Sequence, residues 1–440
     1  MKLLHIKISI VLALLCGMLS NAQTILTPSE AIKQALENNY AISIANNAVA
    51  VAKNNSSIFN SGYLPTLTGN VGANFNLDNT EATFANGNKT ILNGAESSRY
   101  NASINLNYIL FDGLGRRYNF KRLKEEHQLS KLQVRETIEN TTIQLFSIYY
   151  SVAQLTENLT TLQETLKVSK ERLVRAQYQF DYGQNTKLAV LNAEVDIVND
   201  SINIINTKQQ LKNGKRDLSV VLGTDFKTDF TVETELNFIL QIKKDSLFEM
   251  AKKRNTALLQ IEKNTEITSL NIQSEKAAYL PTIGLIGSYG WNKNNNNAAA
   301  FVAGSINTGL SAGLNLTWNL FDGGNTLTRV RNAKLNLETQ QLQMENLLLD
   351  IQRNFDNIWD TYKNKLAIYD LQESNIRTAQ NNFDRTQEKF KVGQVNSLDF
   401  RQAQLNLINA ELSRNQAKYE AKLAELDLLQ LSGVLLEVAF

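Results

Sequence analysis

The sequence predicts a membrane protein of the α+β class, with duplicated long α-helical hairpins and four β-strands that contribute to a barrel. Three observations predict it. First, the chain is written twice. Tyr63-Leu64-Pro65 returns as Tyr279-Leu280-Pro281 at an offset of 216, and Leu110-Phe111-Asp112-Gly113 returns as Leu320-Phe321-Asp322-Gly323 at an offset of 210. Phe180 and Gly183 return as Phe390 and Gly393, and Leu222-Gly223 as Ser432-Gly433, again at 210. A repeat this long is a duplicated half-domain, because solenoid units run to about 20–50 residues. The two halves therefore share one architecture around a pseudo-two-fold axis. Second, four segments alternate apolar and polar residues with period two. Third, each half holds a helical pattern of some 67 residues with no proline and no internal glycine.

At the N-terminus, residues 1–22 carry the pattern of a secretory signal peptide. Lys2 and Lys7 form its basic region, Ile8 to Leu19 its apolar run, and Ser20-Asn21-Ala22 its cleavage site, so that Gln23 starts the mature chain. The run is too short to span a bilayer as a helix. Cys16 is the only cysteine, and Leu15 stands where lipidation would need a small residue. The mature chain then has no thiol and no disulfide framework.

The first repeat occupies 23–222. Thr27, Pro28 and Glu30 predict a helix start with a capping hydroxyl, a proline in the first turn and a capping-box carboxylate. That helix spans about 28–60. A β-hairpin follows at 66–111. In its first strand Leu67, Val71, Ala73 and Phe75 oppose Thr66, Thr68, Asn70, Asn74 and Asn76. In its second, Tyr100, Ala102, Ile104, Leu106, Tyr108 and Leu110 oppose Asn101, Ser103, Asn105 and Asn107. A long helix runs over 115–181, with a heptad seam from Ile138 through Leu145, Val152, Leu159, Leu162 and Leu166 to Leu173, and with Thr141 and Ser169 filling its gaps. At 1.5 Å per residue it is about 100 Å long. A return helix covers 186–222.

The segment 223–245 links the halves and is expected to form a small lateral domain. The second repeat occupies 246–440: an entering helix to about 277, a hairpin at 282–321, a long helix at 324–391 and a return helix at 396–432. In the hairpin Ile283, Leu285, Tyr289 and Trp291 oppose Thr282, Ser288 and Asn292, with Ile286 as the exception. Leu310, Leu314, Leu316, Trp318 and Leu320 oppose Ser311, Asn315, Thr317 and Asn319. Loops are expected at 77–99 and 293–307, which are rich in Asn, Gly and Ala. Return and entering helices are about 55 Å each, so one stacked on the other matches one long helix in a tall assembly.

Each strand has about the 9–11 residues that a tilted membrane strand needs, and an uncharged polar face suits a wet lumen. Tyr108, Tyr289, Trp291 and Trp318 stand on the apolar face as an aromatic girdle. A soluble β-sandwich is the competing reading, but strands so far apart in sequence suit it poorly. Composition excludes much else. The net charge of +2 gives no basis for nucleic-acid binding. His127 is the one histidine after the signal, and no zinc cluster, nucleophile elbow or phosphate loop occurs, so neither catalysis nor a cofactor is expected. Asp112-Gly113 and Asp322-Gly323 are strand–helix junctions in which the aspartates cap the long helices.

The duplicated order of helix, hairpin, long helix and return helix, with Tyr-Leu-Pro before each hairpin, Leu-Phe-Asp-Gly after it and Phe-x-x-Gly at each turn, resembles the TolC family of outer-membrane efflux proteins. The resemblance covers the whole mature chain. It implies a homotrimer whose three chains give a 12-stranded barrel in outer-membrane lipid. Its helices continue as a tunnel through the periplasm of a Gram-negative bacterium. It also implies an exit duct of an efflux or type I secretion system, without enzymatic activity. Its partners are a periplasmic adaptor, docking at the tips near Gly183, Gly393, Leu188 and Leu398, and an inner-membrane transporter. By motif position the pore constriction falls at Phe390, Asp399 and Gln402. Ala189 stands where Asp399 stands in the second half, so an acidic ring comes from one half only. The alternative is a periplasmic coiled-coil scaffold or adaptor without a barrel.

Overall fold

The computed structural model describes residues 25–225, 230–239 and 243–438. The signal-peptide segment 1–22 with Cys16, the mature start at Gln23, and Phe440 lie outside the described residues. The elements in order are β1 (Ile25–Leu26), α1 (Pro28–Asn38), α2 (Tyr40–Asn55), β2 (Thr66–Thr83), β3 (Lys89–Asp112), α3 (Gly115–Asp181), α4 (Lys187–Leu222), β4 (Thr231–Val232), α5 (Lys244–Arg254), α6 (Thr256–Lys276), β5 (Thr282–Asn295), β6 (Gly304–Thr317), α7 (Asn325–Lys391) and α8 (Ser397–Leu431). The chain divides into two compact units. One holds the residues up to Asn46 with Gln133–Leu259 and Asn346 onward, the other Asn47–Leu132 with Gln260–Glu345.

The second of these contains one antiparallel sheet in the order β2-β3-β5-β6. Its register keeps the alternation of all four strands in phase. Leu67 lies opposite Leu106, Ile104 opposite Tyr289, and Tyr289 opposite Leu310, so these apolar residues share one face. Thr68, Asn105, Ser288 and Ser311 form a row on the other. The two hairpins repeat each other residue for residue. Thr66 pairs with Asn107, and Thr282, at offset 216, pairs with Thr317, at offset 210.

Two strand limits differ from those expected. The loop at 77–99 is mostly strand and that at 293–307 is shortened to 296–303: β2 and β3 pair as far as Thr83 and Lys89, and β5 and β6 as far as Asn295 and Gly304. Once one strand is extended it offers its partner a ladder of donors and acceptors, and polar residues accept that ladder when both faces meet water. Composition alone therefore hides the pairing. In the other direction, β6 stops at Thr317, short of Phe321, because Thr282 opens β5 and no residue remains opposite. Trp318 sits past the strand end, where its indole nitrogen donates to the Tyr279 carbonyl at 3.1 Å.

In the other unit α8 is the central helix. Phe400, Ala403, Leu407, Ala410, Ala421 and Leu426 are among its many buried residues. The predicted seam of α3 is buried at Thr141, Leu145, Val152, Leu162 and Ser169, and burial widens to Phe146, Tyr149, Tyr150 and Ala153. On α7, Ile351, Phe355 and Tyr362 are buried on one face, and Lys365 pairs with Glu420 of α8 at 2.6 Å.

Within the linker, residues 230–239 run as a strap. β4 pairs in parallel with β1. The Tyr149 hydroxyl donates to the Leu26 carbonyl at 2.7 Å and accepts from the Glu233 amide at 3.0 Å. Burial raises the pKa of that hydroxyl, which keeps it a donor. Lys418 and Lys422 of α8 donate to the carbonyls of Thr234 and Asn237.

The entering helices, expected to be continuous, are each broken at one asparagine. Thr27 caps α1 with Pro28 in its first turn, as its sequence predicts, but Glu30 accepts from Gln34. Asn39 then takes an extended ψ of 127°, and Asn255 does the same at 125°. The positions differ by 216, the repeat offset. Asn39 Nδ2 donates to the Val221 carbonyl at 2.8 Å, while its Oδ1 accepts from the Ala41 amide. Asn255 Nδ2 donates to the Leu431 carbonyl at 2.9 Å. Beside them Gly223 and Gly433 have φ of 67° and 69°, and a Cβ built on either overlaps a carbonyl oxygen, of Asn38 or Arg254. Each return helix thus ends against the break of an entering helix, with room only for glycine.

Candidate functional site

At the strand–helix junctions the chain must turn sharply. Gly113 and Leu114 both have positive φ, and a Cβ on Gly113 would collide with the Ala277 carbonyl. Asp112 Oδ2 accepts from the Arg116 amide at 2.8 Å and from its guanidinium at 3.2 Å. Asp322 accepts from the Thr326 amide and hydroxyl and from the Gly324 amide, and these bonds hold its carboxyl below the usual range. Both aspartates are helix caps, and Gly113 and Gly323 are the turn residues.

At the two helical tips, Gly183 and Gly393 have φ of 72° and 77°. The Gly183 amide bonds the Phe180 carbonyl and the Gln184 amide the Gln179 carbonyl. Gly393 and Gln394 repeat this with Phe390 and Lys389. This is the Schellman close of a helix, in which glycine is preferred. A groove between the two turns is lined by Gln179, Asn185, Leu188, Asn192, Asn396 and Leu398, and both leucines point to solvent.

The residues that motif position assigned to a constriction separate here. Asp399 is exposed in the first turn of α8, and its amide bonds the Asn396 side chain at 2.8 Å. A carboxylate is favourable there against the helix dipole. Gln402 is exposed one turn later and donates to Asn406. Phe390 turns the other way. It is 7% exposed, and its ring is stacked on Phe400 at 4.7 Å. An aromatic side chain next to an apolar cleft gains more from burial than from water, so Phe390 belongs to the tip's core and does not face a pore.

Close to these tips lies a buried polar network that the sequence did not reveal. Arg401 of α8 forms a bidentate pair with Asp200 of α4, at 2.7 and 3.1 Å. Ser169 of α3 donates to Asp200 at 2.6 Å, Gln404 donates to Ser169 and to the Thr165 carbonyl, and Arg172 pairs with Asp196. The one visible signal was Ser169, a hydroxyl interrupting an apolar seam.

On the sheet's apolar face, Tyr108 lies opposite Leu285 near the helix-proximal end, and Trp318 lies past the end of β6. Tyr289 and Trp291 stand farther along β5. Among the described residues no helix is long and apolar enough to cross a membrane.

Sequence comparison meets the same two halves. The model of the family described as outer membrane efflux protein matches residues 31–224 and 247–434. The outer membrane efflux protein BepC of Brucella suis is 24% identical over 422 residues, covering 96% of this chain and 88% of BepC. The outer membrane protein TolC of Vibrio cholerae is 22% identical over 311 residues, covering 69% of this chain and 70% of that protein. Among solved structures, the Campylobacter jejuni CmeC outer membrane channel superposes with a TM-score of 0.75 at 16% identity, covering 93% of this chain and 86% of CmeC. The outer-membrane channel OprN gives 0.74 at 15% identity, covering 92% of this chain and 89% of OprN.

Proposed function

The chain belongs to the outer membrane efflux protein family and resides in the Gram-negative outer membrane; on that premise we propose that three copies form one exit duct. The duct is a passive conduit, without catalysis, coupled through a periplasmic adaptor to an inner-membrane transporter. The reading of a barrel-less periplasmic scaffold is set aside by the family.

The observation that carries the proposal is that each unit by itself leaves an edge or a face without a partner. Among the described residues the sheet ends in β2 and β6, neither with a second neighbour. Lipid cannot satisfy an open ladder, so these edges need partners. On α4, Leu188, Leu191, Val195, Val198, Ile202 and Ile205 recur at three- and four-residue spacing, all exposed. Their counterparts on α8 at offset 210 are Leu398, Arg401, Leu405, Ile408, Leu412 and Asn415. All but Leu398 are at least half-buried: Ile408 clusters with Leu162 of α3, and Asn415 donates to Asn158. Duplication makes α7 the counterpart of α3, so the α4 stripe is matched by α7 of another copy, where Ile368 and Leu371 are exposed. The contact is head-to-tail and closes as a ring. Three copies bring the strands to twelve.

The repeat offsets also give the register between copies. Leu106 of β3 faces Gly287 of β5. Their counterparts are Leu316 of β6 and Val71 of β2, and the next row pairs Leu314 with Ala73. These pairs keep apolar residues together. In the cysteine-free mature chain, Leu316→Cys with Val71→Cys is expected to give disulfide-linked dimers and trimers on oxidation, because facing Cα atoms lie within disulfide range. Leu316→Cys with Gly69→Cys is the control. Cross-linking through the control pair alone would refute the register, and a monomeric protein in native detergent would refute the trimer.

We assign the constriction to Asp399, with Gln402 one turn on. Three carboxylates near one axis favour cations and bind multivalent ones. Trimers in planar bilayers are expected to be blocked by trivalent cations from the tip side. Asp399→Asn should weaken the block and Gln402→Asp should strengthen it, since i and i+3 share a helix face. An unchanged block in Asp399→Asn would leave Asp399 an ordinary first-turn residue. The groove between the tips is the assigned adaptor site. Cysteines at Asn185 and Leu398 should cross-link to the adaptor in cells, and failure at both positions would place docking elsewhere.

A further inference from the structure

Between Asp399 and Gln416 the exposed positions of α8 are Asp399, Gln402, Asn406, Asn409, Ser413 and Gln416. Their spacing of three and four residues puts them on a single face, while every other position in that stretch is buried or half-buried. The face is about 27 Å long at 1.5 Å per residue. After Asp399 it carries only amides and a hydroxyl.

The same face recurs on α4. At offset 210 its positions are Ala189, Asn192, Asp196, Asn199, Asn203 and Asn206. The four asparagines are exposed, and the one acid, Asp196, is half-buried and engaged by Arg172 and Arg401. The neighbouring stripe did not keep its character between halves, being exposed and apolar on α4 but buried on α8. The amide stripe did.

Helix stability does not account for this choice. Asparagine is a poor helix former, and alternating glutamate and lysine on an exposed face would serve both the helix and solubility better. What amides give that charges do not is a wettable surface with no fixed field. The polar face of the sheet repeats that chemistry with Thr68, Asn70, Asn105, Asn107, Ser288 and Ser311.

We propose that the two stripes line the passage as six uncharged amide ladders, so that charge selection rests with Asp399 alone. This depends on the trimeric duct proposed above and specifies its cargo. The wall accepts amphiphilic solutes by hydrogen bonding, whatever the sign of their charge, once they have passed the carboxylates. A charged wall would instead hold counter-ions along its length and reject one sign throughout.

The test uses full-length trimers in planar bilayers with potassium chloride gradients. Asp399→Asn is expected to lose cation preference, leaving a reversal potential set by bulk ion mobilities. Asn409→Asp and Asn203→Asp, on either helix, should each restore it, and Asn409→Lys in the Asp399→Asn background should invert it. Cysteines at Asn409 and Asn203 should react with a negatively charged methanethiosulfonate reagent and shift selectivity toward cations. Persisting cation selectivity in Asp399→Asn would mean that other charges line the wall and would overturn the proposal. Inert cysteines at both positions in a conducting channel would show that the stripes face elsewhere. Trimers that carry no current would instead sink the duct reading itself.

Discussion

Replacing Leu314 by arginine is expected to cost about 2–4 kcal/mol of folded trimer near the bilayer midplane. Leu314 lies opposite Leu285 on the apolar face, and it is 71% exposed in the single chain. An apolar face so open in water would be an aggregation surface, whereas against lipid it loses nothing. Leu106, on the same face and opposite Leu67 and Gly287, should respond alike. Asn315 is the adjacent residue and faces the other way, with its partner Gly284. Asn315→Arg places its guanidinium in water and should change conductance while leaving assembly intact. Denaturant titration of trimers in lipid, followed by the heat-resistant band on gels, separates the two. Equal assembly defects at Leu314 and Asn315 would refute the two-faced reading of the sheet.

How far the fold could be read from the sequence depended on whether a feature was local. The long helix 115–181 was legible to the residue, because a run without proline or internal glycine closes at a Phe-x-x-Gly turn. The return helices and both caps at Asp112 and Asp322 were local in the same sense. The breaks at Asn39 and Asn255 were not. An asparagine within a helical pattern signals little, and the chain breaks there because a distant carbonyl, of Val221 or Leu431, takes its side chain. Yet Gly223 and Gly433 are visible as repeat marks, and each sits against one of those breaks. Strand length is not legible where pairing rather than pattern decides it, as at Lys89 and Thr317. At the tips, the Phe-x-x-Gly motif marks the turn at Gly393, but it cannot tell that Phe390, in the same turn, packs inward on Phe400.

The buried network is where a single substitution should cost most. Asp200 and Arg401 are nearly inaccessible, and their bidentate pair joins α4 to α8 while Ser169 ties both to α3. Asp200→Ala leaves the Arg401 guanidinium only the longer contact to Asp196, at 3.5 Å, as a carboxylate partner, and removal of one partner from a buried pair costs about 3–5 kcal/mol. The pair itself is a different matter, because desolvating two ions offsets much of their attraction. Asp200→Leu combined with Arg401→Met fills similar volume without charge, and such replacements are often neutral or stabilising by about 1–4 kcal/mol. The double variant should therefore be far more stable than Asp200→Ala, with a strong favourable coupling in the mutant cycle. Unfolding of purified protein at neutral pH measures both. A loss below about 1 kcal/mol in Asp200→Ala, the range of exposed pairs, would mean that water reaches the site and that the network does not hold these helices. A double variant no better than the single would mean that these helices need the specific geometry of the ion pair, two residues from Asp399.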